Sequence, residues 1–402
     1  MPFTIRMPSA IRMPSAIHLP FAIHLLGLAV FAMGTSEFML FGLTPDLARD
    51  LDVSIPTATT LTSAFAVGMI VGAPLMALLS RAWPRRRALL VLLAAFLLAH
   101  VVGAVTSSFA VLLATRVLGA LANAGFLAVA LTTAIAMVPA DAKGRATSAL
   151  LGGVTVACVA GVPGGALLAQ LWGWRAAFWA VALLTVPAFA AIVRSVPAGL
   201  DDGTPRPSAR FELAALRDPR LQRALLLGAL VNGATFCAFS YLAPLLTDVT
   251  GLAASWVPVL LALFGLGSFA GVTLAGRYAD AHATRLLTVG SLALCAGWPL
   301  FALTATHAPA VLAFAFVQGA LSFAVGSTLI SRALYAATQA PTLAGGYATA
   351  AFNVGGALGP WLGGVPVAAG AGFVAPLWVS AGLVALAVAV AGLWPTRVAP
   401  PS

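Results

Sequence analysis

The sequence predicts an all-α polytopic membrane protein, with twelve transmembrane helices arranged as two pseudo-symmetric six-helix bundles. Three observations carry that prediction. Of the 402 residues, 61% are hydrophobic and only 8% charged, whereas soluble globular chains carry about 25% charged residues. Twelve apolar runs, each long enough for the ~30 Å hydrocarbon core of a bilayer, follow one another across short polar connections. The glycines and prolines of the first six runs recur in the last six at one constant offset, which pairs Gly34 with Gly233, Pro45 with Pro244, Gly68 with Gly267, Gly72 with Gly271 and Arg86 with Arg285.

The chain opens with four hexads, MPFTIR, MPSAIR, MPSAIH and LPFAIH. Pro2, Pro8, Pro14 and Pro20 forbid a helix through them. A six-residue period matches neither helix nor strand, so residues 1–20 read as a flexible, weakly basic extension. The first bundle is expected over 21–196, with runs near 21–43, 57–80, 88–106, 109–138, 146–169 and 175–193. Residues 197–219 form the one long polar connection, whose Pro and Gly favour a linker. The second bundle is expected over 220–396, with runs near 221–246, 256–275, 286–306, 309–330, 343–367 and 372–394, and a tail at 397–402. Gly and Pro inside the runs are compatible with membrane helices, because neighbouring helices re-satisfy the backbone.

Charge placement sets the orientation. Of the 21 Lys and Arg, an inward N-terminus leaves only Arg49 and Arg175 outside and Arg116 within the membrane. Both termini and the linker are therefore expected in the cytoplasm. The formal charge of +10 lies scattered in short loops rather than in one stripe, which argues against a nucleic-acid partner. The sole lysine, Lys143, is followed by Gly144, so the Gly-Lys-Ser/Thr of a nucleotide-binding loop is missing. Uphill transport must then draw on an ion gradient. Cys158, Cys237 and Cys295 sit unpaired in apolar runs and read as small hydrophobes. No cofactor or metal is expected. One Glu, one His and one Arg within the spans are too sparse for an enzyme.

Glu37, inside the first run, is the focus of the site. A carboxylate there costs about 2.5–3.5 kcal/mol on insertion scales. It is read as a protonatable group lining a pathway, against the alternative of a Glu hydrogen-bonded to neighbouring helices. Arg116 in the fourth run needs a partner, and Glu37 is the membrane carboxylate available to it. Asn123, Asn232, Tyr241, Gln318 and Asn353 either face the cavity or bridge helices. Phe236 occupies the repeat position of Glu37 and is either opposite it in the cavity or packed in the core. His100 in the third run reads as a satisfied structural histidine, with a group titrating near neutrality as the alternative, and Asp46 as a group at the outer mouth or a helix end.

Several motifs resemble those of the major facilitator superfamily, and within it the twelve-span drug:proton antiporters. The loop after the second span, Arg81-Ala82-Trp83-Pro84-Arg85-Arg86-Arg87, keeps the family's Arg cluster but has Arg81 in place of its Asp and Pro84 in place of its Gly. Its second-half copy, Gly276-Arg277-Tyr278-Ala279-Asp280, keeps the motif's opening Gly and its Asp. The resemblance implies a gating role for these loops, and topology alone is the alternative for Arg85, Arg86 and Arg87. Arg116 matches the Arg of an Arg-x-x-Gln-Gly motif whose Gln-Gly is retained, in part, as Gln318-Gly319 of the second half. Gly152, Gly161, Pro163, Gly164 and Gly165 are similar to the glycine-rich antiporter motif of the fifth span, where Pro163 is expected to bend the helix. From about residue 19 onward the chain is most similar to actinobacterial chloramphenicol exporters, through Thr35-Ser36-Glu37-Phe38-Met39-Leu40 and Leu61-Thr62-Ser63-Ala64-Phe65-Ala66. The resemblance implies a monomeric, proton-coupled exporter in the cytoplasmic membrane, moving a small uncharged amphiphilic drug such as chloramphenicol. Export of sugars or other metabolites is the alternative.

Overall fold

The computed structural model describes residues 21–79, 83–139, 143–196, 214–337 and 343–393. The expectations for 1–20, for Arg81, for most of the 197–219 linker and for 397–402 lie outside these residues.

Helices account for nearly all of the described chain, and no strand occurs among the described residues. The first half comprises α1 (Phe21–Phe38), α2 (Leu40–Asp50), α3 (Ile55–Leu79), α4 (Arg85–Val105), α5 (Phe109–Ala136), α6 (Lys143–Val156), α7 (Val162–Trp172) and α8 (Trp174–Ser195). The second comprises α9 (Pro219–Phe239), α10 (Val257–Leu303), α11 (Ala308–Ala336), α12 (Ala344–Ala368) and α13 (Ala375–Leu393). Leu98, Trp172, Leu183 and Leu303 stand exposed, as they must where lipid rather than water is the surrounding solvent.

Among the described residues, eleven spans are long and apolar enough to cross a membrane by length and composition alone. The run predicted at 343–367 is present as α12, but its Gly, Pro, Asn and Tyr residues dilute its apolar content. The two runs predicted at 256–275 and 286–306 join in one long helix, α10, with a kink at His282 (φ −132°, ψ 26°). Their connection lacks a proline to stop the helix, so it bends instead of ending.

Three breaks position the site. The run predicted at 21–43 is interrupted at Met39, between α1 and α2. Its counterpart in the second half is interrupted at Ser240–Tyr241, before the short turn Leu242–Pro244 and a π-helical segment Leu245–Val249. At Pro163, expected to bend the span, the preceding turn gains a residue. The proline has no N–H to donate, and the preceding segment Ala157–Gly161 is π-helical, with the Val162 N–H reaching the carbonyl of Ala157. Such bulges relieve a proline inside a helix.

The repeat seen in the sequence recurs in the packing. α1 packs on α6 and α8, α3 on α5, and α4 on α5 and α8, while α9 packs on α12 and α13, and α10 on α11 and α13. Equivalent glycines make equivalent contacts. A Cβ on Gly68 would lie 2.9 Å from the Val117 carbonyl oxygen, and one on Gly267 would lie 2.1 Å from that of Phe316. Only a hydrogen side chain permits such approach.

One buried cluster runs from Leu26 to Val196 within the first half. A second gathers residues of α9 to α13 but takes in Phe41, Val162 and Ala166 from the first half. The halves therefore touch along two seams. At one, α3 lies on α12, with the Ser63 hydroxyl donating to the Ala357 carbonyl at 2.8 Å. At the other, the π-helical turn of the fifth span meets α10, where a Cβ on Gly265 would come within 2.4 Å of the Cys158 carbonyl oxygen. Toward the Asp50 end of the molecule, Gln170 Nε2 donates across the halves to the Ala254 carbonyl at 2.5 Å. Toward the opposite end, Gly152, Gly276, Gly345 and Gly346 have no described atom within 4 Å of a Cβ position.

Candidate functional site

Glu37 is the last residue but one of α1, directly before the break at Met39. It is half-buried and lines a cavity of about 170 Å³ between the halves. Asn123 Nδ2 on α5 approaches Glu37 Oε2 at 3.4 Å. Phe38, Phe41, Thr62, Phe65 and Ala66 complete the first-half wall. The second half contributes Asn232, Phe236, Phe323, Phe352, Asn353 and Gly356. Glu37 is the one charged side chain among these residues.

Arg116 is not the ion-pair partner of Glu37, contrary to the expectation from sequence. It is 2% exposed, and its guanidinium turns to the neighbouring residue. Nη1 donates to Ser36 Oγ at 2.9 Å and Nη2 to the Ser36 carbonyl at 2.8 Å. Its Cζ sits 4.4 Å from the centroid of the Phe65 ring, a cation–π contact. The physical reason is the helix break. The ladder is interrupted around Met39, and a planar fork can satisfy both the carbonyl and the hydroxyl of one residue at once.

His100 completes this buried node. Nδ1 lies 2.8 Å from the Phe96 carbonyl and Nε2 lies 2.6 Å from Ser36 Oγ. A carbonyl only accepts, so Nδ1 carries the proton, and Nε2 accepts from the Ser36 hydroxyl. Both ring nitrogens are thus occupied, as a structural histidine requires. Ser36 and Glu37 point to opposite sides of the chain: one into the bundle, one into the cavity.

The other expected residues separate clearly. Asn232, Phe236 and Asn353 line the cavity with Glu37, and Asn123 touches it through the carboxylate. Phe236 stacks on Phe38 (5.8 Å, 5°) and on Phe41 (5.3 Å, 16°), so the repeat mate of Glu37 closes the cavity across the two halves. Tyr241 is not a cavity residue: it is 1% exposed, and its hydroxyl donates to the Pro360 carbonyl at 3.2 Å. Gln318 is not one either. It is sealed between α10 and α11 against Gly297. Asp46 pairs with Arg49 at 2.9 Å near the end of α2.

Two glycines of the fifth-span motif pack on the chain beside the break. A Cβ on Gly161 would come 2.1 Å from Thr35 Oγ1, and one on Gly165 would come 3.2 Å from Met39 Cβ. Gly152 and Gly164 have open space among the described residues. Arg86 does not reach the second half through its described bond, which runs from Nη2 to the Val193 carbonyl near the end of α8. Arg223 does the same in the second half, donating to the Ala391 carbonyl at 2.6 Å. Each arginine satisfies a carbonyl left open at a helix C-terminus. Arg85 is half-buried, Arg87 lies 5.9 Å from the Trp83 ring, and Gly276 and Arg277 are exposed. The Asp280 side chain lies outside what the structure describes.

At the far end of the first half, Asp50 accepts from Arg175 Nη1 at 2.5 Å and Trp174 Nε1 at 3.0 Å. Arg175 also donates to the Thr106 carbonyl at 3.1 Å. The Arg175 bond first, and the Trp174 bond second, hold the Asp50 carboxyl below the usual carboxylate range. This knot ties α2, α4 and α8 together. No cluster of His, Cys, Asp and Glu suited to a metal occurs among the described residues.

Sequence reasoning missed Ser36 as the centre of the buried node, and Phe38, Phe41, Thr62, Phe65, Phe323 and Phe352 as cavity walls. Phe38 and Phe65 stood in stretches already singled out. Their orientation, which no spacing within an all-apolar helix discloses, was the missing signal.

A model of the Major Facilitator Superfamily matches residues 26–261. The chain is 58% identical over 369 residues to a chloramphenicol resistance protein of Streptomyces lividans, covering 91% of this chain and 94% of that protein. It is 36% identical over 348 residues to the inner membrane transport protein YdhP of Escherichia coli strain K12, covering 87% and 89% respectively. A chloramphenicol efflux pump of Mycobacterium tuberculosis is 31% identical over 352 residues, covering 85% of this chain and 84% of the pump. Among solved structures, a bacterial homologue of the human lysosomal transporter Spinster, inward-facing and unoccupied, superposes with a TM-score of 0.71 at 17% identity, covering 94% of this chain and 97% of that one. That likeness concerns the fold. Repeated halves, a cavity between them and full-length relatives agree: the chain is a multi-pass membrane transporter belonging to the Major Facilitator Superfamily.

Proposed function

We propose that this transporter is a proton-coupled antiporter that exports a small, uncharged, amphiphilic drug, with chloramphenicol as its substrate. The observation that carries the reading is Glu37, a lone carboxylate in a phenylalanine-walled cavity between the halves. The similarity to a chloramphenicol resistance protein supports the choice of drug. An uncharged drug brings no charge of its own. The carrier's carboxylate must therefore release its proton toward the cytoplasm and regain one from outside.

In this reading residues 21–196 and 220–396 move as two bodies joined by the cytoplasmic segment 197–219, and one chain suffices for transport. Both termini lie in the cytoplasm of a cell whose cytoplasmic membrane holds the protein, as the basic loops favour. The end bearing Asp50, Gln170 and Ala254 then faces outward and is the closed one. A cavity of about 170 Å³ is narrower than the ~300–1,000 Å³ of drug sites, so admission of the drug requires the halves to part at the cytoplasmic end.

The test is a resistance panel in an efflux-deficient host, with and without protonophore, beside uptake into inverted vesicles. Chloramphenicol accumulation driven by an imposed proton gradient without ATP is the expected result. Accumulation only with ATP, or of sugars instead of the drug, overturns the reading.

A further inference from the structure

The hydrogen-bonding inventory of the cavity is weighted toward acceptors. Asn232 Nδ2 donates to the Phe352 carbonyl at 2.6 Å, and Asn353 Nδ2 donates to the Thr349 carbonyl at 2.9 Å. A carbonyl cannot donate, so neither amide can be turned round without losing its bond. Each Oδ1 therefore faces away from that bond and takes no hydrogen bond from the described protein, while each Nδ2 keeps its second hydrogen. Thr62 is committed in the same sense: its hydroxyl donates to the Thr59 carbonyl at 2.7 Å, leaving only its lone pairs. Glu37 meets Asn123 through Oε2 alone, and its other oxygen is open. Two acceptors stand on the first half and two on the second. Between them lie the stacked rings of Phe38, Phe41 and Phe236.

From this inventory we infer that the cavity selects neutral aromatic ligands by their hydrogen-bond donors. A bound molecule places its ring against the three phenylalanines and hands two or more hydroxyl or amide hydrogens to Glu37, Thr62, Asn232 and Asn353. Acceptor groups elsewhere on the ligand, such as nitro or sulfonyl oxygens, have only the second Nδ2 hydrogens of Asn232 and Asn353 to meet, which either kind of oxygen satisfies. The inference deepens the proposed drug site and rests on the cavity being the place where the drug binds. It adds a rule that the identity of the drug does not contain. A ligand lacking its donors leaves buried acceptors unpaired, and that loss discriminates far more sharply than a change of apolar bulk.

The experiment measures binding to the purified full-length protein in nanodiscs at neutral pH, by competition and by thermal shift. The probes are 1-phenylpropane-1,3-diol, its di-O-methyl ether, chloramphenicol, and the chloramphenicol analogue with a methylsulfonyl group in place of the nitro group. The ether keeps the ring and the oxygens but removes both donors. The diol is expected to bind at least about tenfold more tightly than its ether, and the two phenicols within about threefold of each other. In Asn353→Leu the diol-to-ether ratio shrinks, whereas Asn353→Asp, which keeps acceptor oxygens, preserves it. An ether that binds as well as the diol overturns the inference, whatever chloramphenicol does. Discrimination of diol from ether without chloramphenicol binding leaves the donor rule standing and removes the phenicol assignment. Failure of all four probes to bind overturns both.

Discussion

Arg116 binds the backbone of Ser36 rather than the carboxylate of Glu37. The Nη2-to-carbonyl distance is 2.8 Å, and the next residue along the chain is the one that enters the cavity. A guanidinium that holds the broken end of α1 in place fixes where the carboxylate points, without neutralising it by contact. Removing the fork therefore acts on geometry. Arg116→Lys, which offers a flexible ammonium instead of a planar fork, is expected to fold yet lower transport about tenfold. Arg116→Ala leaves the Ser36 carbonyl unpaired at a cost of about 1–3 kcal/mol and is expected to lower the melting temperature as well. Fluorescence-monitored melting beside proteoliposome transport separates the two effects. Equal transport in wild type and the Lys variant would show that the fork is idle.

Glu37→Gln keeps the shape of the protonated side chain and cannot release a proton. It is expected to insert normally and to bind drug, but to fail to concentrate drug against a gradient. Glu37→Asp, shorter by one methylene, is expected to keep part of the activity. Drug-induced proton release from proteoliposomes, together with resistance in cells, is the measurement. Full exchange in the Gln variant would shift attention to Asp46.

Gly265 lies where a Cβ would come within 2.4 Å of the Cys158 carbonyl oxygen across the halves. Gly265→Ala is expected to push the π-helical turn away from α10 and to favour the state open at the Asp50 end. Cysteines introduced at Gln170 and Ala254, whose hydrogen bond spans that end, report the change when Cys158, Cys237 and Cys295 are first replaced. A short bifunctional thiol reagent should cross-link the pair less in the Gly265→Ala background. An unchanged yield would show that the seam absorbs the extra methyl.

Asp50 holds Arg175 and Trp174, and its carboxyl is depressed by those bonds. A group whose folded pKa lies below its unfolded value stabilises the protein above the unfolded pKa, about 3.9 for Asp. That stabilisation fades as pH falls through the lower folded value. Asp50→Asn is therefore expected to melt below wild type at neutral pH, with the gap closing in acid below about pH 3.9. A gap that is constant with pH would place the effect in packing rather than charge. Because Asp50 is substantially exposed, the difference is expected to be small.

The helical fold was legible from composition and run length because membrane helices must satisfy their own backbone, which leaves a long, plain hydropathic signature. The repeat was legible for a different reason. Gly68 and Gly267 cannot carry side chains against Val117 and Phe316, so close packing preserves them in register. What the sequence concealed was orientation. Spans that are apolar all round carry no moment to say which face meets lipid, partner helix or cavity. Asn232 and Asn353 reach the cavity, whereas Tyr241 and Gln318, equally polar by composition, are buried within the second half. The break at Met39 was concealed as well: no proline or glycine stands at that position, and the discontinuity emerges only with Arg116 and Ser36 in contact.

The two described ion pairs, Arg49–Asp46 and Arg175–Asp50, both lie within the first half. The contacts described between the halves are neutral: hydroxyl and amide donors on carbonyls, bare glycine, and stacked phenylalanine rings. Such contacts are almost blind to dissolved electrolyte, since screening acts on separated charges and not on packed dipoles or apolar surface. These described contacts between the halves are thus insulated from the ionic strength on either side of the membrane. In the proposed antiporter, a medium whose salinity swings widely would then leave these contacts, and the rocking they oppose, where they were.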